Sequence, residues 1–195
     1  NTYKAYSIVD DNYTLRPMQA FFVQKPDAVD NIVFRKEGRQ LTSEITPRAS
    51  ARIFRTPSLK NRYLFNIQLK ADEKIDETRV VVNNDASLDY EIKCDASKFM
   101  SFDSAMPQIF TFDNQGNSYA INERPMDDGK VKLAYYVGQS GYYTITANRA
   151  DGEIYLVDNM TNKTVNLMEQ DYTFHSNATE SANTTRFTLT FEVED

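Results

Sequence analysis

The 195-residue chain contains no tryptophan, one cysteine and one histidine. A closed structural zinc site takes four ligands, mostly from cysteine and histidine, so this composition excludes one. The lone Cys94 cannot form an intrachain disulfide, and a single cysteine leaves the redox compartment undecided. The lack of tryptophan removes the largest aromatic surface on which a sugar could stack.

Basic charge and long apolar runs are also scarce. The chain carries 22 basic and 28 acidic side chains, a net charge of -6. This balance provides no basic stripe for a phosphate backbone, so we expect no nucleic-acid partner. No apolar run approaches the roughly 18 to 20 residues that cross a bilayer, which predicts no membrane span in this chain.

Alternation of apolar and polar residues is the strongest pattern present. Ile154 and Leu156 alternate with Tyr155 and Val157, as expected of a strand with one buried face. The 12 Tyr and 12 Phe suit pleated surfaces, and with only six Gly the turns must come mainly from Asn and Asp. The sequence predicts an all-β fold, an antiparallel β-sandwich with jelly-roll or Greek-key-like topology. The predicted core contains Phe65, Ile67, Leu69, Ile154, Leu156, Phe187, Leu189 and Phe191.

The chain divides into three predicted segments. Residues 1–38 form opening β strands, a small lobe docked on the sandwich mainly through Phe21, Phe22 and Phe34. Residues 39–60 hold four arginines and two prolines without alternation, which is typical of a surface crossing or a linker. Residues 61–195 form the main β-sandwich. We expect docking because three strands alone bury too little surface to be stable.

Two hairpins are predicted within the sandwich. Strands at 108–112 and 118–122 enclose a turn rich in Asn and Gly, which tolerate positive φ. Strands at 130–137 and 142–147 flank the sequence Gly-Gln-Ser-Gly at 138–141 in the same way. The second hairpin would bring four tyrosines together, with one ring of each neighbouring pair facing solvent.

Eight short segments carry a resemblance to known proteins. They are LRPMQAFFVQ at 15–24, NIVF at 31–34, DASK at 95–98, YAIN at 119–122, GYYT at 141–144, LVD at 156–158, YTF at 172–174 and RFTL at 186–189. In order and spacing the chain resembles the carboxy-terminal β-sandwich region of secreted and cell-surface proteins of gut Bacteroidetes. The resemblance implies a secreted or cell-surface, adhesin-like module and carries no catalytic motif.

No compact catalytic set stands out in the sequence. His175 is the only histidine, and alternation places it opposite the rings of Tyr172 and Phe174, so we interpret it as structural or solvated. Cys94 fits a buried inert thiol. Four acidic pairs lie in predicted loops and are interpreted as solvated turn residues: Asp10 with Asp11, Asp72 with Glu73, Asp76 with Glu77, and Asp127 with Asp128. The protein is therefore predicted not to be an enzyme.

Two candidate binding sites remain. Tyrosine rings can stack on sugars, so Tyr135, Tyr136, Tyr142 and Tyr143 form the candidate ligand surface. Oxygen ligands suit calcium, so Asp113, Asn114 and Asn117 form the candidate metal site, with Ca²⁺ the one cofactor left open.

These observations favour a non-enzymatic structural or adhesion module of an exported bacterial surface protein. The expected partners are other domains of the same exported protein. The alternative is a carbohydrate-binding module that holds a glycan with exposed tyrosines, and a carboxylate-based glycoside hydrolase ranks third.

Overall fold

The computed structural model describes residues 4–6, 15, 20–23, 33, 62–92, 94–126 and 129–192. These residues contain eleven strands and no helix, which confirms the predicted all-β class. The strands are β1 (Arg62–Ala71), β2 (Lys74–Asn83), β3 (Ala96–Ser97), β4 (Gln108–Phe112), β5 (Ser118–Arg124), β6 (Lys130–Tyr136), β7 (Gly141–Ala150), β8 (Glu153–Asp158), β9 (Lys163–Asn166), β10 (Tyr172–Ser176) and β11 (Asn183–Glu192).

The strands form one mixed sheet that is nearly closed into a barrel-like shape. Its order is β10-β7-β1-β2-β5-β4-β6-β11-β8-β9, with β3 paired to β5 off this path. The β2–β5 pair is parallel, whereas the sequence predicted antiparallel pairing throughout. Residues 84–117 lie between these two strands and return the chain to the end where β2 began, a long connection of the kind that parallel neighbours require.

The core lies between the two halves of this folded sheet. All eight predicted core residues are buried, and the rings of Phe65 in β1 and Phe191 in β11 approach to 4.6 Å between centroids. The alternation predicted for β8 is also present, because Ile154 and Leu156 are buried while Tyr155 and Val157 are half-buried. Period-two alternation thus identified the inward faces correctly.

One predicted hairpin is confirmed and the other is wrong. β4 and β5 pair antiparallel around the turn at 113–117, in which Gly116 has a φ of 93°. β6 and β7 do not pair with each other, since β6 lies between β4 and β11 while β7 lies between β1 and β10. Gly138 is needed for close packing, because a Cβ there would overlap the backbone carbonyl of Ser104. Residues 137–140 therefore cross from one half of the sheet to the other.

The predicted division of the chain lies mostly outside the described residues. This holds for the 39–60 crossing, for Phe34 and for most of residues 1–38. Phe22 is described, and its ring stacks on that of Phe99 at 5.3 Å between centroids. The three-segment division stays a prediction.

Candidate functional site

Four connections meet at one end of the sheet, which we name the loop end: residues 72–73, 98–107, 137–140 and 177–182. The strand registers place Gln108 opposite Tyr136 and Gly141 opposite Ser176, so these connections leave the sheet on the same side. Direct hydrogen bonds join them, from Lys74 Nζ to the Ala105 carbonyl (3.1 Å), from the Ala178 amide to Ser140 Oγ (2.9 Å), and from the Thr179 amide to the Val137 carbonyl (2.9 Å). Loops clustered at the end of a sheet commonly carry function.

The 98–107 loop is fixed by its own side chains. Gln108 Oε1 accepts the Ser101 amide at 2.6 Å, and Ser101 Oγ accepts the Asp103 amide at 3.2 Å. Asp103 Oδ1 accepts the Ala105 amide at 2.9 Å, and the Asp103 carbonyl accepts the Met106 amide at 3.0 Å. Met106 and Gln108 are buried. The loop therefore has a defined conformation.

A buried ion pair anchors the start of this loop. Lys98 Nζ contacts Asp76 Oδ2, and both side chains are almost fully buried. The same carboxylate oxygen accepts the Ile109 amide at 2.7 Å, which ties β2 to β4 beneath the loop. Burial lowers the pKa of Lys98, while the charge of Asp76 opposes this shift. Asp76 had been predicted to be a solvated turn residue, and its burial corrects that prediction.

Phe102 is the exposed feature of this fixed loop. Its side chain is 97% exposed, and the neighbouring Phe99 and Met100 are also exposed. A lone exposed apolar residue is ordinary, but several in succession mark an interaction surface. The loop end presents this apolar segment to its surroundings.

The exposed charges in the four connections of the loop end are mainly negative. Asp72, Glu73, Asp103 and Glu180 are exposed in the four connections. The lysine within these connections, Lys98, is neutralised by Asp76 in the interior. An acidic rim therefore borders an apolar loop.

The predicted tyrosine surface does not form. Tyr135 and Tyr143 are core residues, with the Tyr143 hydroxyl donating to the Gln139 carbonyl at 2.6 Å. Burial raises the pKa of Tyr143. Tyr136 is half-buried and Tyr142 is 74% exposed, but they lie in different halves of the sheet. The four rings separate because β6 and β7 are not neighbours.

The residues predicted to bind calcium stabilise their own turn. Asp113 Oδ1 accepts the amides of Gln115 and Asn117, while Oδ2 accepts Asn117 Nδ2 (2.6 Å) and the Tyr119 hydroxyl (2.7 Å). Burial raises the pKa of Asp113, but these donors together outweigh it and hold the pKa below its ordinary value. Asn114 Oδ1 accepts Lys132 Nζ at 2.7 Å. The carboxylate is thus already occupied by protein donors.

The remaining catalytic candidates are His175, Cys94 and the acidic pairs. His175 is exposed and its ring meets Tyr142 edge-on at 5.3 Å. Burial, then the charges of Glu123, Glu91 and Asp95, raise the pKa of the Cys94 thiol, which disfavours the reactive thiolate. In the part of the chain that the structure describes, no three His, Cys, Asp or Glu side chains group as metal ligands. The acidic residues at 10–11 and 127–128 lie outside that part.

A second group of buried carboxylates was missed by the sequence reasoning. Glu123 accepts Arg62 Nε (3.0 Å) and Asn83 Nδ2 (2.7 Å), and Arg62 also pairs with its other oxygen. Asp95 accepts the backbone amides of Glu91 (2.7 Å) and Glu123 (2.8 Å). Desolvation raises the pKa of Asp95 to about 6 despite these two amides. Each carboxylate fixes a strand or loop, so the group is architectural.

The described residues form an all-β fold in which four connections meet at the loop end. The profile of the family named Domain of unknown function (DUF8693) matches residues 2–191, so the chain belongs to this family. Neither the curated proteins nor the solved structures contain a significant match. Among the described residues, no helix has the length and apolar character to cross a membrane.

Proposed function

We propose that the chain is a non-enzymatic structural and adhesion-type module of an exported bacterial surface protein, secreted or held at the cell surface. In this proposal the loop end contacts a protein partner, in the first place another domain of the same exported protein. The observation that carries it is the 97% exposure of Phe102 on a loop fixed by internal hydrogen bonds.

The fixed loop supports a binding role on energetic grounds. Burying a phenylalanine side chain is worth about 1.5 to 3 kcal/mol. A loop that is already ordered loses little conformational freedom when it docks, so more of that energy contributes to affinity. Phe102 has the properties of such an anchor.

The acidic rim of the loop end favours a particular kind of partner. Acidic groups at the loop end, together with the exposed Phe102, favour a surface with an apolar pocket and basic surroundings, since complementary charges steer association. A net charge of -6 disfavours adsorption to an anionic bilayer. A protein partner is therefore favoured over a lipid surface.

Photo-crosslinking tests this proposal. Benzoylphenylalanine is placed at position 102 of the parent protein in its source bacterium, with position 88 as the control. Leu88 is also an exposed apolar residue, and it lies in the connection after β2, away from the loop end. We expect a protein cross-link at position 102 and none at position 88.

Affinity measurements with the partner protein identified by cross-linking complete the test. The Phe102→Ser substitution should weaken the complex between the purified chain and this partner at least about tenfold, whereas Phe102→Leu should retain most of the affinity. Cross-links to lipid alone, or equal affinities for the wild-type and Phe102→Ser proteins, would overturn the proposal.

A further inference from the structure

A small cleft lies on the outer face of the sheet. Its volume is about 170 Å³, and it is bounded by β1, β2, β5 and residues 4–5 of the opening segment. The side chains that matter most are those of Gln68, Ile75, Glu77 and Ile121. This volume is below the roughly 300 to 1,000 Å³ of pockets that enclose drug-sized ligands, so the cleft fits a ligand about one ring in size.

One wall of the cleft presents oriented oxygen atoms. Glu77 Oε2 accepts Gln68 Nε2 at 2.9 Å and Asn148 Nδ2 at 3.1 Å. These two donors fix the plane of the carboxylate through Oε2. The other oxygen, Glu77 Oε1, lies 4.0 Å from the Lys4 ammonium, which is beyond hydrogen-bond reach. Because the Gln68 amide is fixed through its nitrogen, its carbonyl oxygen is oriented as well. The wall therefore holds two pre-positioned acceptors for hydroxyl groups.

The apolar part of the lining comes from aliphatic side chains. Ile75, the second residue of β2, is 42% exposed, whereas Ile121, which also lines the cleft, is almost fully buried. A ligand that fits must carry hydroxyl groups along one edge and C–H groups on one face. Sugar rings combine these two surfaces.

We propose that this cleft binds a single sugar residue, with its hydroxyl groups on Glu77 and Gln68 and its C–H face on Ile75. The Lys4 ammonium lies 4.0 Å from Glu77 Oε1 and partly offsets the charge of the carboxylate. Neither Phe102 nor any of the predicted tyrosines lines this site. It goes beyond the proposed function and does not depend on it.

Saturation-transfer NMR with the methyl glycosides of glucose, galactose, mannose and N-acetylglucosamine tests the proposal. At least one glycoside should receive saturation, mainly at the C–H protons of one ring face. The same glycoside should shift the backbone amide signals of residues 66–68 and 75–79. Signals confined to Tyr142 and His175, or no saturation of any glycoside, would refute the cleft as a sugar site.

Two substitutions assign the contacts. Glu77→Gln keeps the side-chain shape and removes the charged acceptor, and Gln68→Met removes the amide, so each should weaken glycoside binding about tenfold or more. The control is Glu169→Gln, an exposed acidic residue between β9 and β10, which should leave affinity unchanged. If both cleft variants keep a native amide spectrum and bind like Glu169→Gln, the proposal is wrong. The Phe102 cross-linking result is unaffected either way.

Discussion

The guanidinium of Arg186 donates two hydrogen bonds to one oxygen of Asp158, from Nε at 3.1 Å and from Nη2 at 2.9 Å. Both side chains are nearly inaccessible to solvent. The same oxygen accepts the Tyr172 hydroxyl at 2.7 Å, and Arg186 Nη1 donates to the His175 carbonyl at 3.1 Å. Tyr172 and His175 belong to the edge strand β10, whereas Asp158 ends β8 near the other edge. These side chains join the two edges of the sheet where backbone pairing does not.

Asp158→Asn should destabilise the protein by about 3 to 5 kcal/mol, because it leaves the Arg186 charge buried without its counterion. The free energy of unfolding in urea measures this. Arg149→Gln is the control, since the Arg149–Asp151 pair is exposed at 3.8 Å and should contribute at most about 1 kcal/mol. Similar losses for the two variants would show that the buried pair does not hold the edges together.

Removing the Asp95 carboxylate should change the dependence of stability on pH. Desolvation raises its pKa from 3.8 to about 6 in the folded protein, so the folded state binds more protons than the unfolded state between these values. This group therefore lowers stability as pH rises from about 4 to about 6. The difference in urea midpoint, wild type minus Asp95→Asn, should fall across that window. A flat or rising difference would contradict this assignment.

Leu156→Ala should cost about 2 to 5 kcal/mol, because Leu156 is fully enclosed in the core and truncation leaves a cavity. Val157→Ala, on the half-buried opposite face of β8, should cost much less. Urea unfolding of both variants compares the two faces directly. Equal losses would mean that the inward face of β8 is wrongly assigned.

Gly138→Ala should destabilise the protein by about 1 to 3 kcal/mol and shift the amide signals of the 98–107 loop, since its Cβ would overlap the Ser104 carbonyl. Gly141→Ala is the matched control, at the first residue of β7 directly after this connection. No atom lies within 4 Å of a Cβ at position 141, so that substitution should be neutral or slightly stabilising. A neutral Gly138→Ala would show that the loop is not packed against this crossing.

The sequence predicted which side chains face inward, but of the two hairpins described above only β4–β5 joins true neighbours. Phe65, Leu156 and Phe187 were placed correctly because side-chain direction depends only on local backbone geometry. The same alternation puts Asp158 on the face of Ile154 and Leu156, so this buried carboxylate could have been found. The β6–β7 hairpin was wrong because Gly138 and Gly141 suggested a tight turn, whereas Gly138 permits a tertiary contact.

The candidate site was harder to predict from the sequence than the core. The run from Phe99 to Phe102 is apolar except for Ser101, and local pattern alone favours burying such residues. Its exposure depends on Gln108, Gly138 and Asp76, which contact the loop from three different elements. Such a placement follows from tertiary packing, which sequence spacing does not encode.

The sheet order also determines how the chain can fold. The neighbours β1 and β2 are joined by a two-residue turn. In contrast, β1 also pairs with β7, and β6 pairs with β11, and these partners are far apart in sequence. Closing such loops costs entropy before any contact compensates for it. We therefore expect refolding on the order of milliseconds to seconds, with the β1–β2 hairpin forming ahead of the β2–β5 pair. During synthesis one edge of β1 therefore stays unpaired until β7, which lies later in the chain, has been made.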